Sequence, residues 1–306
     1  MNILKIDHLA KRFGSNEILK DVSLNVPEHS IYGFIGQNGS GKTTTMKIIL
    51  GLLSKNRGNI TVCGEEAKYG QTKTNRFIGY LPDVPEYYNY MNPHEYLQLC
   101  GQITGMDQKK ITAGTKELLS LVGLEQAAKK RIGGFSRGMK QRLGIAQALL
   151  NQPRLLICDE PTSALDPVGR KEILDILNTV KDKTTVLFST HILSDVERIC
   201  DHIAILNDGT VAINGTLNEI KEKHGTDSLQ IEFEMEGDCG QFERLYQTHF
   251  GVVTEKIDSR TICIQALEIE KTQSEVLGIL YQNKLMPLAV QRKKPTLENV
   301  FLEVVK

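Results

Sequence analysis

The sequence lacks a net charge: 37 Lys and Arg balance 37 Asp and Glu over 306 residues. No overall field draws the chain toward nucleic acid or anionic lipid, so a nucleic-acid partner is not expected. Long hydrophobic runs are missing as well. The longest, such as Leu155 to Cys158 or Met46 to Leu53 with its Lys47, fall far short of the roughly 20 residues that cross a bilayer. The chain is not expected to form a pore itself. The opening Met1-Asn2-Ile3-Leu4-Lys5-Ile6-Asp7 has charges where a secretory signal needs its apolar region, which predicts a cytoplasmic protein. Cys63, Cys100, Cys158, Cys200, Cys239 and Cys263 form no CxxC pair, so neither a disulfide framework nor a zinc site is indicated. Internal repeats and low-complexity tracts are absent, and each motif below occurs once.

What is present is an ordinary globular composition, 40% hydrophobic and 24% charged, in a chain long enough for one full domain and a smaller second one. Ile3 to Leu9 and Leu19 to Val26 alternate apolar and polar residues as half-buried strands do, with Lys11 to Asn16 between them reading as a turn. Ile31 to Ile35 is a continuous apolar strand, followed by a glycine-rich loop and a helical stretch from Thr43 to Leu50. Asn92-Pro93 reads as a helix start, and the pattern is mostly helical from there to Leu150. Strands return at Leu155 to Asp159, Thr185 to Ser189 and His202 to Asn207, with a helix from Gly169 to Lys181. This alternation implies an α/β fold with a parallel core sheet.

After about Ile220 the character changes. Alternation at Leu229, Ile231, Phe233 and Met235, an amphipathic stretch Gln241 to His249, a strand at Thr261 to Gln265, a helix from Ile269 to Asn283 and a strand at Pro287 to Gln291 predict a small α+β unit. The expected division is 1–220 and 221–306.

Gly36-Gln37-Asn38-Gly39-Ser40-Gly41-Lys42-Thr43, followed by Thr44, fits the P-loop pattern and lies between a buried strand and a helix start, where the chemistry requires it. The glycines let successive backbone N–H groups turn inward around phosphate oxygens, and the helix dipole adds positive potential there. Lys42 is expected to reach the β- and γ-phosphates of ATP, and Thr43 to ligate Mg²⁺ through its hydroxyl. Leu155 to Cys158 lead into Asp159-Glu160, an apolar strand ending in two carboxylates. Alone, such a run is equally a strand entering a solvated turn; the P-loop upstream favours a Walker B site, with Asp159 handling Mg²⁺ and Glu160 acting on the attacking water.

The segments around these motifs carry a family resemblance. Phe135-Ser136-Arg137-Gly138-Met139-Lys140-Gln141-Arg142 resembles the ABC signature motif, Ser163-Ala164-Leu165-Asp166 its D-loop, and Ser189-Thr190-His191 its H-loop. Phe13 matches the aromatic A-loop position, and the motifs stand in family order over residues 1 to about 220. The chain thus resembles an ABC ATPase: a P-loop NTPase domain with a parallel core sheet, an antiparallel β subdomain and a helical subdomain, here followed by the small α+β unit. The resemblance implies that Ser136 and Gly138 open a helix facing the γ-phosphate of a nucleotide held by a second ATPase subunit, in a homodimer sandwiching two ATP molecules. It further implies that His191 senses the γ-phosphate, that Asp166 communicates across the interface, and that Phe13 stacks on adenine. By themselves, a lone histidine after a strand is more often structural and Phe13 could be core.

Two motifs depart from the family. Arg137 stands where a glycine is usual, with Met139 in place of the usual Gln. In Ile78-Gly79-Tyr80-Leu81-Pro82-Asp83 the last residue is usually Gln. Asp83 can offer oxygen to Mg²⁺ or water, but cannot donate while ionised. The ending Pro295-Thr296-Leu297-Glu298-Asn299-Val300-Phe301-Leu302, and the stretch Ile31 to Leu53, resemble ATPase subunits of bacitracin-type and lantibiotic-immunity exporters. These partner separate integral membrane permeases, which implies a peripheral position on the inner face of the membrane. A non-transport ABC ATPase is the alternative, either a translation or repair factor, which the single motif set and absence of sustained heptads disfavour, or a regulatory protein that binds ATP without turnover, which Glu160 argues against.

Overall fold

The computed structural model describes residues 1–224, 227–252, 254–266, 268–294 and 296–305. The chain divides into two compact units, Met1–Leu217 and Asn218–Val304. In chain order, the first carries β1 (Asn2–Phe13), β2 (Asn16–Pro27), β3 (Ile31–Ile35), α1 (Lys42–Ile49), β4 (Arg57–Val62), β5 (Glu65–Glu66), β6 (Ile78–Leu81), α2 (Pro93–Ile103), α3 (Gln108–Leu121) and α4 (Arg137–Leu149). It continues with β7 (Leu155–Asp159), α5 (Pro167–Val180), β8 (Thr185–Thr190), α6 (Leu193–Ile199), β9 (His202–Asn207) and β10 (Thr210–Thr216), after which α7 spans Leu217–His224.

These strands form one ten-stranded sheet in the order β5-β4-β1-β2-β10-β9-β3-β8-β7-β6. The run β9-β3-β8-β7-β6 is parallel throughout. Both faces of such strands are covered, so β3, β7 and β8 are buried along their whole length, which is why β3 and Leu155 to Cys158 of β7 read as continuous apolar runs, while β8 buries Thr185, Ser189 and Thr190 as well. The other flank, β5-β4-β1-β2, is antiparallel. The expected turn from Lys11 to Asn16 is shorter than predicted: β1 continues to Phe13, Arg12 pairs with Glu17, and only Gly14 and Ser15 turn the chain. The ladder's register shifts between Ile6 and Leu9 and again before Arg12, so the alternation breaks although the strand does not end.

Three helices, α2 to α4, follow β6. Asn92 and Glu95 form a reciprocal capping box at the start of α2, with Pro93 in the first turn. Arg142 ties α4 to the end of α3 through the carbonyls of Val122 and Gly123.

The second unit holds β11 (Ser228–Phe233), α8 (Glu236–Phe250), β12 (Glu255–Lys256), β13 (Thr261–Gln265), α9 (Ile269–Gln282), β14 (Pro287–Lys293) and α10 (Leu297–Val305). Its sheet runs β12-β13-β11-β14 with every neighbour antiparallel, the split β-α-β topology. Leu229, Ile231 and Phe233 point to one face and meet Phe242 and Tyr246 of α8 and Val276, Ile279 and Leu280 of α9 in a separate core. Gly251, in the left-handed conformation, ends α8. Of the C-terminal segment singled out in the sequence, Pro295 lies outside the described residues. Thr296 pairs with Asn299 at the head of α10.

Candidate functional site

Strands β3, β6, β7 and β8 run parallel, so their carboxyl ends share one edge of the sheet, the usual ligand-binding position in open α/β sheets. The Gly36–Gly41 loop follows β3, Asp83 follows β6, Glu160 follows β7 and His191 follows β8. A cavity of about 420 Å³ opens there, lined by Phe13, Ile18, Asn38, Gly39, Gly41, Lys42, Thr43, Thr44, Asp83 and Glu160. Most of the residues selected from the sequence meet at this place. A larger cavity, about 980 Å³, between α3, α5 and the end of α4 holds none of them.

The loop's shape depends on its glycines. Gly39 and Gly41 have φ of 84° and 108°, which L side chains rarely adopt, and a Cβ on Gly41 would run into the Leu19 side chain. A Cβ on Gly36 would lie 2.7 Å from the Leu206 carbonyl oxygen. Ser40 Oγ is buried inside the loop with no hydrogen-bond partner among the described residues. Lys42, 5% exposed, donates to the carbonyls of Gly36 (2.7 Å) and Gln37 (3.2 Å), so its ammonium is held within the loop. Thr43 stands exposed in the first turn of α1.

Asp159 is 2% exposed, and its Oδ1 accepts a hydrogen bond from Ser189 Oγ at 2.7 Å. The same hydroxyl accepts from the Glu160 backbone N–H at 3.1 Å. Ser189 thus fastens both carboxylate residues across the β7–β8 pair, a role the sequence did not reveal because it depends on the register Asp159↔Ser189. Glu160 has φ of 49°, uncommon outside glycine, which turns it off the strand axis. One of its carboxylate oxygens lies 2.8 Å from His191 Nδ1 and the other 3.3 Å from Lys42 Nζ. Ile18, at the start of β2, is a further lining residue that its place in a half-buried strand did not mark.

Among the described residues no cluster of three or more His, Cys, Asp or Glu side chains is arranged to hold a metal ion. The hydroxyl of Thr43, exposed at the cavity, and the carboxylate of Asp159 are oxygen donors of the kind Mg²⁺ takes, and would supply only a minority of its ligands, the rest coming from phosphates and water.

Ser136 and Gly138 do not line the cavity. Ser136 caps α4, its hydroxyl accepting from Met139 N–H, and Asp166 caps α5 in the same way through Gly169. Asp83 does line the cavity, and its Oδ1 lies 3.5 Å from Arg137 Nη2 in the first turn of α4. Burial raises the Asp83 pKa above the ordinary carboxylate value, Arg137 opposes this, and the charges of Asp159 and Glu160 add to it. Phe13 is 49% exposed with the Lys11 ammonium 4.9 Å from its ring centre, leaving an aromatic face at the cavity mouth.

Comparison with known proteins agrees with this geometry. The ABC transporter family matches residues 19–163. The bacitracin transport ATP-binding protein BcrA of Bacillus licheniformis is 33% identical over 305 residues, covering 99% of this chain and 97% of that one. The chain belongs to the ATP-binding subunits of ABC transporters. As an ABC ATPase it binds and hydrolyses ATP. The lantibiotic transport ATP-binding protein SrtF of Streptococcus pyogenes is 38% identical over 232 residues, covering 76% of this chain and 96% of that one. A solved structure titled as the ATP binding subunit of an ABC transporter superposes with a TM-score of 0.66 at 34% identity, covering 73% of this chain and 93% of the other. The C-terminal part, residues 215–305, matches the ATP-binding protein DrrA1-3-like, C-terminal domain family.

Proposed function

We propose that this ABC ATPase works as a homodimer on the cytoplasmic face of a separate membrane permease and powers export of a peptide antibiotic or related drug. The observation that carries the catalytic part is the placement of Glu160 between Lys42 and His191 at the cavity, one residue beyond the buried Asp159. Gly36, Gln37, Asn38, Gly39, Ser40, Gly41, Lys42, Thr43 and Thr44 hold the phosphates of ATP through loop amides, the ammonium and hydroxyls. Thr43 and Asp159, with Asp83 at the same edge, would hold Mg²⁺, which when bound would neutralise charge on the phosphate oxygens. Phe13 stacks on the adenine.

Glu160 accepts a proton from the attacking water, and His191, hydrogen-bonded to it, fixes the carboxylate's orientation and contacts the γ-phosphate. Ser136 and Gly138, at the amino end of α4, face the nucleotide of the second subunit, where the helix's free N–H groups favour an anion.

The membrane and cargo parts of the reading are supported by the relatives' names, bacitracin transport and lantibiotic transport, and by the fact that no described helix is long and apolar enough to cross a membrane. Affinity purification of the tagged chain from membranes tests them. An integral membrane protein should copurify, and deleting this chain should sensitise its host to a peptide antibiotic. Recovery of the chain in an integral membrane fraction when expressed alone would overturn the arrangement.

A further inference from the structure

The two places where the sequence departs from the family pattern touch each other: Arg137 Nη2 lies 3.5 Å from Asp83 Oδ1. Three contacts fix this juxtaposition. Tyr87 donates a 2.7 Å hydrogen bond to the Lys140 carbonyl, one turn along α4. Further on, Gly144 leaves room for the chain after β6 to lie against the helix: a Cβ there would sit 2.9 Å from Tyr87 Oη and 3.6 Å from Pro85 Cβ. The Tyr87 ring also meets Tyr96 of α2 edge-on, 5.0 Å between centres. The segment bearing Asp83 is therefore clamped along α4, and the carboxylate meets the guanidinium because the backbone brings it there.

Asp83 also lines the nucleotide cavity with Lys42, Thr43 and Glu160. An acidic side chain at that edge adds negative charge where the triphosphate must enter, beside Asp159 and Glu160. Asp83 Oδ1 is buried and has no hydrogen-bond partner among the described residues, so its compensation comes chiefly from the charge of Arg137, with a smaller contribution from His191. Arg137 in turn stands in the first turn of α4, where the helix dipole disfavours a cation and an anionic neighbour is needed to offset it.

We propose that Arg137 and Asp83 form one charge-compensated unit, in which Arg137 is a positioning residue that neutralises Asp83 so that the cavity accepts the ATP triphosphate. The inference rests on the reading of this cavity as the nucleotide site and adds to it a residue, Arg137, whose effect runs through Asp83. A partly exposed ion pair contributes little to fold stability, so its consequence lies in the local field.

The test is a double-mutant cycle in the full chain, with Asp83→Gln, Arg137→Gly and both together. Binding of a fluorescent ATP analogue with Mg²⁺ is titrated, and competition by ATP is measured at about 50 mM and about 500 mM salt. Arg137→Gly alone should weaken binding roughly 3- to 10-fold at low salt, with the loss shrinking at high salt. Adding Asp83→Gln should restore binding to within about twofold of the parent. A double variant as weak as Arg137→Gly, an Arg137→Gly defect unaffected by salt, or no defect at all would overturn the proposal. Failure of the parent chain itself to bind the analogue would instead sink the assignment of the cavity, so the two failures are distinguishable.

Discussion

Glu160 is held at 2.8 Å by His191 Nδ1 through one carboxylate oxygen and faces Lys42 Nζ at 3.3 Å through the other. The three side chains come from the ends of different strands or the helix after one, so only the parallel sheet brings them together. A residue expected to act in hydrolysis is thereby linked to one expected to bind phosphate, and substitutions should separate the two functions.

Lys42→Ala removes the ammonium that the loop carbonyls of Gly36 and Gln37 hold in place. Loss of a charge-assisted contact to phosphate, roughly 1.5 to 3 kcal/mol, should weaken ATP binding at least about tenfold. Equilibrium titration with ATP and Mg²⁺ checks this, and unchanged affinity would remove Lys42 from the phosphate site.

Gly41 and Gly39 both have positive φ, but only at Gly41 does a Cβ also meet a side chain, that of Leu19. Gly41→Ala should therefore cost more stability than Gly39→Ala, by at least about 1 kcal/mol, and should also distort the loop. Thermal unfolding of the two variants side by side decides it; equal losses would show that the contact with Leu19 relaxes freely.

Ser189→Ala strips Asp159 Oδ1 of the hydroxyl that donates to it, and Glu160 N–H of one acceptor. A buried carboxylate oxygen left without its partner costs about 1 to 3 kcal/mol. Reduced unfolding temperature together with reduced ATPase rate is expected, and Ser189→Thr, which keeps the hydroxyl, should recover part of both.

The legibility of the site followed from how local each signal is. β3 and β7 are fully buried parallel strands, so their apolar runs stand out, and the phosphate loop has a fixed spacing of glycines that needs no partner to be recognised. β6 is only four residues long, and what makes it a strand is pairing of Ile78 to Leu81 with Leu155 to Cys158, which no local pattern announces. The turn before β2 is shorter than the residue pattern suggests because bulges in β1 break the alternation while the ladder continues. The roles of Ser189 and Arg137 depend on cross-strand register and on packing along α4, which no local pattern carries, even though Ser189 lies inside a motif and Arg137 departs from one. In the C-terminal unit, the strands at Leu229, Thr261 and Pro287 were legible from alternation, while α8 begins earlier than expected, at Glu236, because polar residues fill its first turn.

Every residue assigned to the nucleotide lies before α7, and the second unit has its own core. We predict that a chain ending after Lys221 retains ATP binding within about threefold of the full chain, since less than about 0.7 kcal/mol of binding free energy should depend on the removed part. Titration of the shortened protein, with circular dichroism confirming that it is folded, makes the measurement; a folded but non-binding product would show that the two units are interdependent.

The central claim, that Glu160 acts on the chemical step while the loop and Lys42 bind the nucleotide, is tested most directly by Glu160→Gln assayed for ATP affinity and phosphate release in the same preparation. The substitution keeps size and hydrogen bonding to His191 but removes the basic oxygen. ATP should bind within a few-fold of the parent, while steady-state hydrolysis should fall about 10²- to 10⁴-fold. Size-exclusion chromatography with ATP and Mg²⁺ should then show two chains held together by unhydrolysed nucleotide. Near-parental hydrolysis by a variant that still binds ATP would contradict the account.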